Sequence, residues 1–178
     1  MKQYYFKDGL YMGKGKVLPV ENEKKESIGY IEKEDISVFE KGSSFSFTFN
    51  NGTTVVMGIE KRSIKNFLVA TYIIKMEGIT YTLKDKAGNS LLYFCVVGEI
   101  DGKNIRIDEN WSQEVEIKID GIHIATIKPD DFSFKTRILL EENFDESSTI
   151  FAVSVLMYFM YKIYKKEAAF IENLISDE

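Results

Sequence analysis

Any chemistry in this 178-residue chain would have to be assembled from few parts. His123 is the only histidine and Cys95 the only cysteine. A metal site or a catalytic triad would rest on His123 alone, within Ile122-His123-Ile124-Ala125, where it faces away from both isoleucines on a strand. Its plain reading is an outward-facing strand histidine. Cys95 lies in Leu91-Leu92-Tyr93-Phe94-Cys95-Val96-Val97, apolar on both faces, and reads as a small buried thiol rather than an activated nucleophile. Alone, it makes no internal disulfide, which fits a reducing compartment. Gly13-Lys14-Gly15-Lys16 carries a G-x-G fragment with neither the P-loop nor the dinucleotide spacing, and reads as a turn. The adjacent carboxylates Asp130-Asp131, Glu141-Glu142 and Asp145-Glu146 would point to opposite faces of a strand, which does not suit paired acid–base work. Asp145 to Ser148 better suits a helix cap, with Ser147 or Ser148 accepting from unbonded amides. Trp111, ahead of strand residues 113–119, reads as a packing or rim residue. No catalytic, cofactor or metal motif emerges, so the expectation is a protein that is not an enzyme.

The elements that would position these residues are mostly strands. Phe45, Phe47 and Phe49 alternate with Ser44, Ser46 and Thr48, and Ile79, Tyr81 and Leu83 with Thr80, Thr82 and Lys84. Val115, Ile117 and Ile119 alternate with Glu114, Glu116 and Lys118. Phe132, Phe134, Thr136, Ile138 and Leu140 alternate with Ser133, Lys135, Arg137 and Leu139. Period 2 marks strands with one face on a core. Asn51-Gly52, Gly88-Asn89, Asp101-Gly102 and Asp120-Gly121 tolerate the left-handed backbone of tight hairpins, so consecutive strands should pair antiparallel. Gly13 to Lys25, with Pro19 and a charged cluster, reads as a loop between strands. Leu91 to Val97 predicts a strand covered on both faces.

One segment differs from all of these. From Ser147 to Tyr161 there is no charge, and a helix of that length measures about 22 Å, short of the roughly 30 Å of bilayer hydrocarbon. Its apolar residues occupy every side, so it needs an apolar surround. Antiparallel strands closing into a barrel around it would supply that surround and remove the exposed sheet edges. The expected fold is therefore mainly β: a closed antiparallel barrel of about twelve strands around a central apolar C-terminal helix. A single domain over 1–178 is expected, with strands over about 3–141, the central helix over about 147–166 and a short amphipathic helical tail over 167–178.

Ile79 to Asn89, a strand with a D-x-x-G-N turn, Val115 to Ala125, a strand, Asp-Gly turn and strand, and the helix from Thr149 together resemble the Tubby C-terminal-like superfamily. The nearest branch is the LURP-one-related proteins, as a bacterial-type member. The resemblance spans about Ile28 to Lys166 and rests on pattern and order. It implies a twelve-stranded barrel around a central helix, with phosphoinositide-binding Tubby domains and phospholipid scramblases among its relatives. Headgroup binding of the Tubby type needs converging Lys and Arg side chains. The compact basic cluster in a loop position is Lys61-Arg62-Ser63-Ile64-Lys65, so Lys61, Arg62 and Lys65 are the candidate ligand-binding residues; the plain alternative is a solvated turn. A calcium loop of D-x-[DN]-x-[DN]-G type is absent, since Asp101 to Asn104 and Asp108 to Asn110 lack that spacing.

The formal net charge of −5 and pI near 5.1 argue against nucleic acid as a partner and against broad attraction to an anionic surface, while leaving room for a local basic patch. No signal peptide is apparent at the N-terminus. The expectation is a non-enzymatic domain in the cytoplasm, peripheral at a membrane where its partner is a phospholipid, the other partner class being a protein. Two alternatives stand beside it: a membrane protein anchored by 147–161, and an enzyme of undetected type.

Overall fold

The period-2 runs become strands because alternation lets each turn one face to a core, although Ser44 and Ser46 on the other face of their run are buried as well and Ile79, expected inside, is 49 % exposed. The computed structural model describes residues 1–9, 12–62, 69–86, 93–130 and 135–176. Among these are twelve strands: β1 (Lys2–Lys7), β2 (Val17–Asn22), β3 (Ser27–Glu34), β4 (Phe39–Phe49), β5 (Thr54–Glu60), β6 (Thr71–Met76), β7 (Ile79–Asp85), β8 (Cys95–Ile100), β9 (Lys103–Glu109), β10 (Val115–Ile119), β11 (Ile122–Asp130) and β12 (Lys135–Leu140). One helix follows, α1 (Thr149–Ser176). Each strand pairs antiparallel with its neighbours in sequence, and β1 closes the barrel against β12 from Lys2 opposite Leu140 to Lys7 opposite Lys135. The Asp-Gly hairpins form as expected: Asp101 and Gly102 have φ of 53° and 72°, and Asp120 and Gly121 have φ of 49° and 83°.

Phe45, Phe47, Val115, Ile117, Ile138 and Leu140 line the inside with no solvent exposure. The helix fills what they enclose. All twelve residues of 150–161 are buried, whichever way they point, because the closed sheet surrounds the helix on every side. At 1.5 Å per residue this enclosed length is about 18 Å, comparable with the height of tilted six- or seven-residue strands. Tyr4 and Phe6 of β1 and Phe45 and Phe47 of β4 reach the helix from different sides, through ring contacts with Phe151, Tyr158 and Phe159 at 4.5 to 6.0 Å. Ser154, the polar residue in the enclosed length, bonds back to the Ile150 carbonyl at 2.7 Å, so its hydroxyl asks nothing of the wall. Ser148 caps the helix, its Oγ accepting from the Phe151 N–H at 3.2 Å, while Asp145 accepts from the Ser147 N–H and hydroxyl at 2.8 Å.

Several expectations change. Part of the Gly13 to Lys25 segment is strand β2. Pro19 is tolerated there because β2 pairs fully with β3, whereas its pairing with β1 reaches only Glu21 and Asn22. The helical tail expected after 166 is continuous with the central helix: α1 runs unbroken to Ser176, and its last part stands outside the barrel, with Phe170 and Leu174 exposed. The strand expected over Leu91 to Val97 begins at Cys95, and residues 87–92, with the Gly88-Asn89 turn, lie outside the described residues. So do Phe132 and Phe134. No described helix is long and apolar enough to cross a membrane.

Candidate functional site

Because every strand reverses, the β1–β2, β3–β4, β5–β6, β7–β8, β9–β10 and β11–β12 connections share one rim of the barrel, and α1 leaves through that rim. Beyond Tyr161 its residues become progressively exposed. Side chains from separate strands hold it there. The Tyr161 hydroxyl donates to Glu109 at 2.7 Å, Lys165 pairs with Glu109 at 3.1 Å, and Lys162 pairs with Asp8 at 3.1 Å.

The strongest of these ties is built on a bulge. In β4, Phe39 pairs with Glu60 and Ser44 with Gly58, so residues 40–43 stand opposite Ile59 alone. Gly42 makes the turn possible with φ of 78°. The Ser43 hydroxyl then replaces part of the lost ladder, donating to the Glu40 carbonyl at 2.9 Å and accepting from the Ile59 N–H at 3.3 Å. This swings Glu40 towards the helix. Arg62 lies between Glu40 and Glu167 of α1, donating from Nε and Nη2 to the first at 2.8 and 2.9 Å and from Nη1 and Nη2 to the second at 3.0 and 2.5 Å. Its side chain is 8 % exposed.

Burial pushes the Glu40 carboxyl up, but the Arg62 hydrogen bonds and charge outweigh it and hold it below 4.5, the ordinary glutamate value. The same two carboxylates raise the Arg62 guanidinium further above its usual range. A carboxyl lowered in the folded state contributes stability that is complete above its unfolded value and lost as pH falls through the folded one. Glu40→Gln is therefore expected to cost on the order of 1–2 kcal/mol at pH 7. In urea unfolding, that gap from wild type should close as pH falls below 4.5. A gap that persists in acid would show that the Glu40 carboxylate charge is not what holds the helix.

Two clefts flank the emerging helix and share Lys166. The larger, about 520 Å³, is lined by Asp8, Glu114, Lys162, Lys165 and Lys166 among others, with cations and carboxylates largely matched: Lys162 holds Asp8, Lys165 holds Glu109, and Glu114 holds Lys128 at 2.7 Å. The smaller, about 370 Å³, is lined by Lys33, Lys41, Ser43, Ile163 and Lys166 together with Glu40 and Glu167. Both of those carboxylates are engaged by Arg62. Three lysines, Lys33, Lys41 and Lys166, thus line it against two carboxylates that are both tied to Arg62, in a chain of net charge −5. Such a concavity attracts anions.

The chain matches no protein-family model, no curated protein and no solved structure. The site is therefore read from its own residues.

Of the candidates expected from sequence, Arg62 is at the smaller cleft, but as the ion-paired member beneath it rather than as an open fork. Lys61 is exposed beside it, and Lys65 lies outside the described residues. Lys33, Lys41 and Lys166 were not singled out by sequence. A signal existed for Lys33. It shares the inward register of Gly29 and Ile31, so a lysine stands where the alternation calls for an apolar residue.

The remaining candidates have structural roles. His123 is half-buried on β11, its Nε2 2.8 Å from the Thr126 hydroxyl and its Nδ1 3.8 Å from Glu141. Cys95 is 2 % exposed, and burial pushes its thiol up, away from the reactive thiolate. Glu142 holds the N-terminal ammonium at 2.6 Å, and Glu146 accepts from Lys2 and from the Tyr4 hydroxyl. Asp131 lies outside the described residues. Asp85 is pushed up by burial and steadied by the Ala70 N–H at 2.7 Å and the Tyr72 hydroxyl at 2.9 Å. Among the described residues no three His, Cys, Asp or Glu side chains gather as metal ligands. Of the two readings of Trp111, packing or rim, the second holds: it is fully exposed in the β9–β10 turn at the rim.

Proposed function

We propose that this protein is a non-enzymatic, Tubby-like module of the LURP-one-related kind that binds a phosphate-bearing anion at the rim where α1 emerges. A phospholipid headgroup is the ligand the resemblance implies, and the module then works in the cytoplasm, peripherally at a membrane. The observation that carries this reading is the cleft lined by Lys33, Lys41 and Lys166, whose two wall carboxylates, Glu40 and Glu167, are both tied to Arg62, in an otherwise acidic chain. Lysine ammoniums converging on a concavity suit a phosphate as point charges. Among the described residues, helix side chains fill the barrel interior.

Sedimentation with phosphatidylcholine vesicles, with and without about a fifth of phosphatidylserine, tests this reading for lipid. A titration with pyrophosphate followed by amide chemical shifts tests it for soluble phosphate. Binding is expected to need the anion and to weaken with salt. The Lys33→Ala, Lys41→Ala double variant should bind about thirtyfold more weakly, at about 1 kcal/mol per lysine near an anionic surface. A folded wild-type protein that binds neither probe, or a double variant that binds as wild type does, overturns the reading and directs the search to a protein partner.

A further inference from the structure

Two carboxylates in the wall of the cleft of Lys33, Lys41 and Lys166 share one arginine, and they are held unequally. Glu40 is fixed. It takes the Nε and Nη2 edge of Arg62 at 2.8 and 2.9 Å, accepts also from the Arg62 backbone N–H at 3.2 Å, and stands on the bulge that the Ser43 hydroxyl closes. Glu167 takes the other edge, its two oxygens accepting from Nη1 and Nη2 at 3.0 and 2.5 Å. It stands on α1 beyond the buried length 150–161, and its side chain is 33 % exposed against 8 % for Arg62. Four hydrogen bonds of the guanidinium, which offers five N–H groups, are thus spent on these carboxylates.

A planar fork of parallel N–H groups receives a phosphate as readily as a carboxylate. The edge of Arg62 that Glu167 holds is therefore filled by a group of the ligand's own chemistry. We infer that Glu167 is an internal competitor for the anion: with Glu167 in place the cleft offers its lysines, and a phosphate, free or on a lipid headgroup, that displaces it gains the Arg62 fork and releases the outer part of α1 from the rim. This rests on the anion-binding reading and adds the regulation of that site. Glu40 keeps its edge throughout, because the bulge and the Arg62 backbone N–H hold it there. The guanidinium thus exchanges one counter-charge and retains the other. A fork that is open in about one molecule in ten weakens the apparent affinity tenfold. By linkage, whatever draws the outer part of α1 away from the rim strengthens anion binding, and whatever presses it there weakens it.

Glu167→Gln is expected to bind pyrophosphate about tenfold more tightly than wild type in a titration followed by amide chemical shifts. Removing a negative charge strengthens the binding of any nearby anion, so the same change is also made beside Arg62→Lys, which keeps the charge and removes the fork. There the gain should fall to about threefold or less, the share that charge alone supplies. Sedimentation of the same variants with phosphatidylcholine vesicles, with and without about a fifth of phosphatidylserine, separates a lipid phosphate from a soluble one: the gain should appear with whichever probe the wild-type protein binds. In wild type, a saturating amount of that probe should speed amide hydrogen exchange along α1 after Glu167. Equal gains beside Arg62 and beside Arg62→Lys overturn the inference, as does a Glu167→Gln protein that binds no more tightly than wild type, or exchange after Glu167 that the bound probe leaves unchanged. Each of these leaves the anion-binding reading intact. Failure of wild type and Glu167→Gln alike to bind either probe overturns both. Circular dichroism of each variant separates a change in binding from loss of fold.

Discussion

Leu156→Lys is expected to remove the cooperative thermal transition or to lower its midpoint drastically. Leu156 has no solvent exposure and lies midway along the helix length that the barrel encloses on all sides. An ammonium there would meet neither water nor a carboxylate among the apolar side chains that make up the core. Burying an unpaired charge costs several kcal/mol even after the protein relaxes, a large part of the 5–15 kcal/mol by which folded domains are typically stable. Leu156→Ala is the companion: it leaves a cavity but no charge, should cost about 2–5 kcal/mol, and should remain folded. If Leu156→Lys melts within a few degrees of wild type by far-ultraviolet circular dichroism, the helix is not inside the barrel.

Phe159→Ala should have the next largest effect. The Phe159 ring stacks on Phe45 of β4 with centroids 4.5 Å apart and planes 21° apart, and lies 6.0 Å from Phe6 of β1. It therefore joins two walls of the barrel through the helix. Truncation removes those contacts and leaves a void that closely packed neighbours cannot close, for about 3–5 kcal/mol. For a domain of this size that corresponds to a fall in melting temperature on the order of 6–20 °C. Helix and sheet share one core, so strand and helix signals should be lost in a single transition. A helix that melts separately from the sheet, or a loss below about 1 kcal/mol, would contradict that shared core.

The parts legible in sequence are those set by neighbours along the chain. Phe45, Phe47 and Phe49, like Val115, Ile117 and Ile119, are buried as their alternation required. Asp-Gly pairs made the hairpins they signalled, whereas the equivalent turn at Glu77-Gly78, with φ of 46° and 83°, passed unnoticed because its first residue is not one that usually advertises it. β2 was obscured by a proline that only an incompletely paired strand accommodates. Lys33 was overlooked because a lysine at an inward register position has meaning only once the barrel mouth is known. The bulge at 40–43 has no clear sequence signature beyond Gly42, and without it Glu40 would not reach Arg62.

By itself, then, the sequence determined the kind of structure: period-2 strands need a common core, and an uncharged segment apolar all round and too short for a bilayer needs a protein sleeve. Both follow from burying apolar surface, a local property of side-chain order. Only the tertiary structure decided where charge collects. Lys2 meets Leu140 at the closing seam, and Arg62 meets Glu40 and Glu167 across the rim. Such meetings depend on the accumulated register of every strand between, and they gather three lysines and an arginine around two carboxylates in a chain that composition alone would have called acidic.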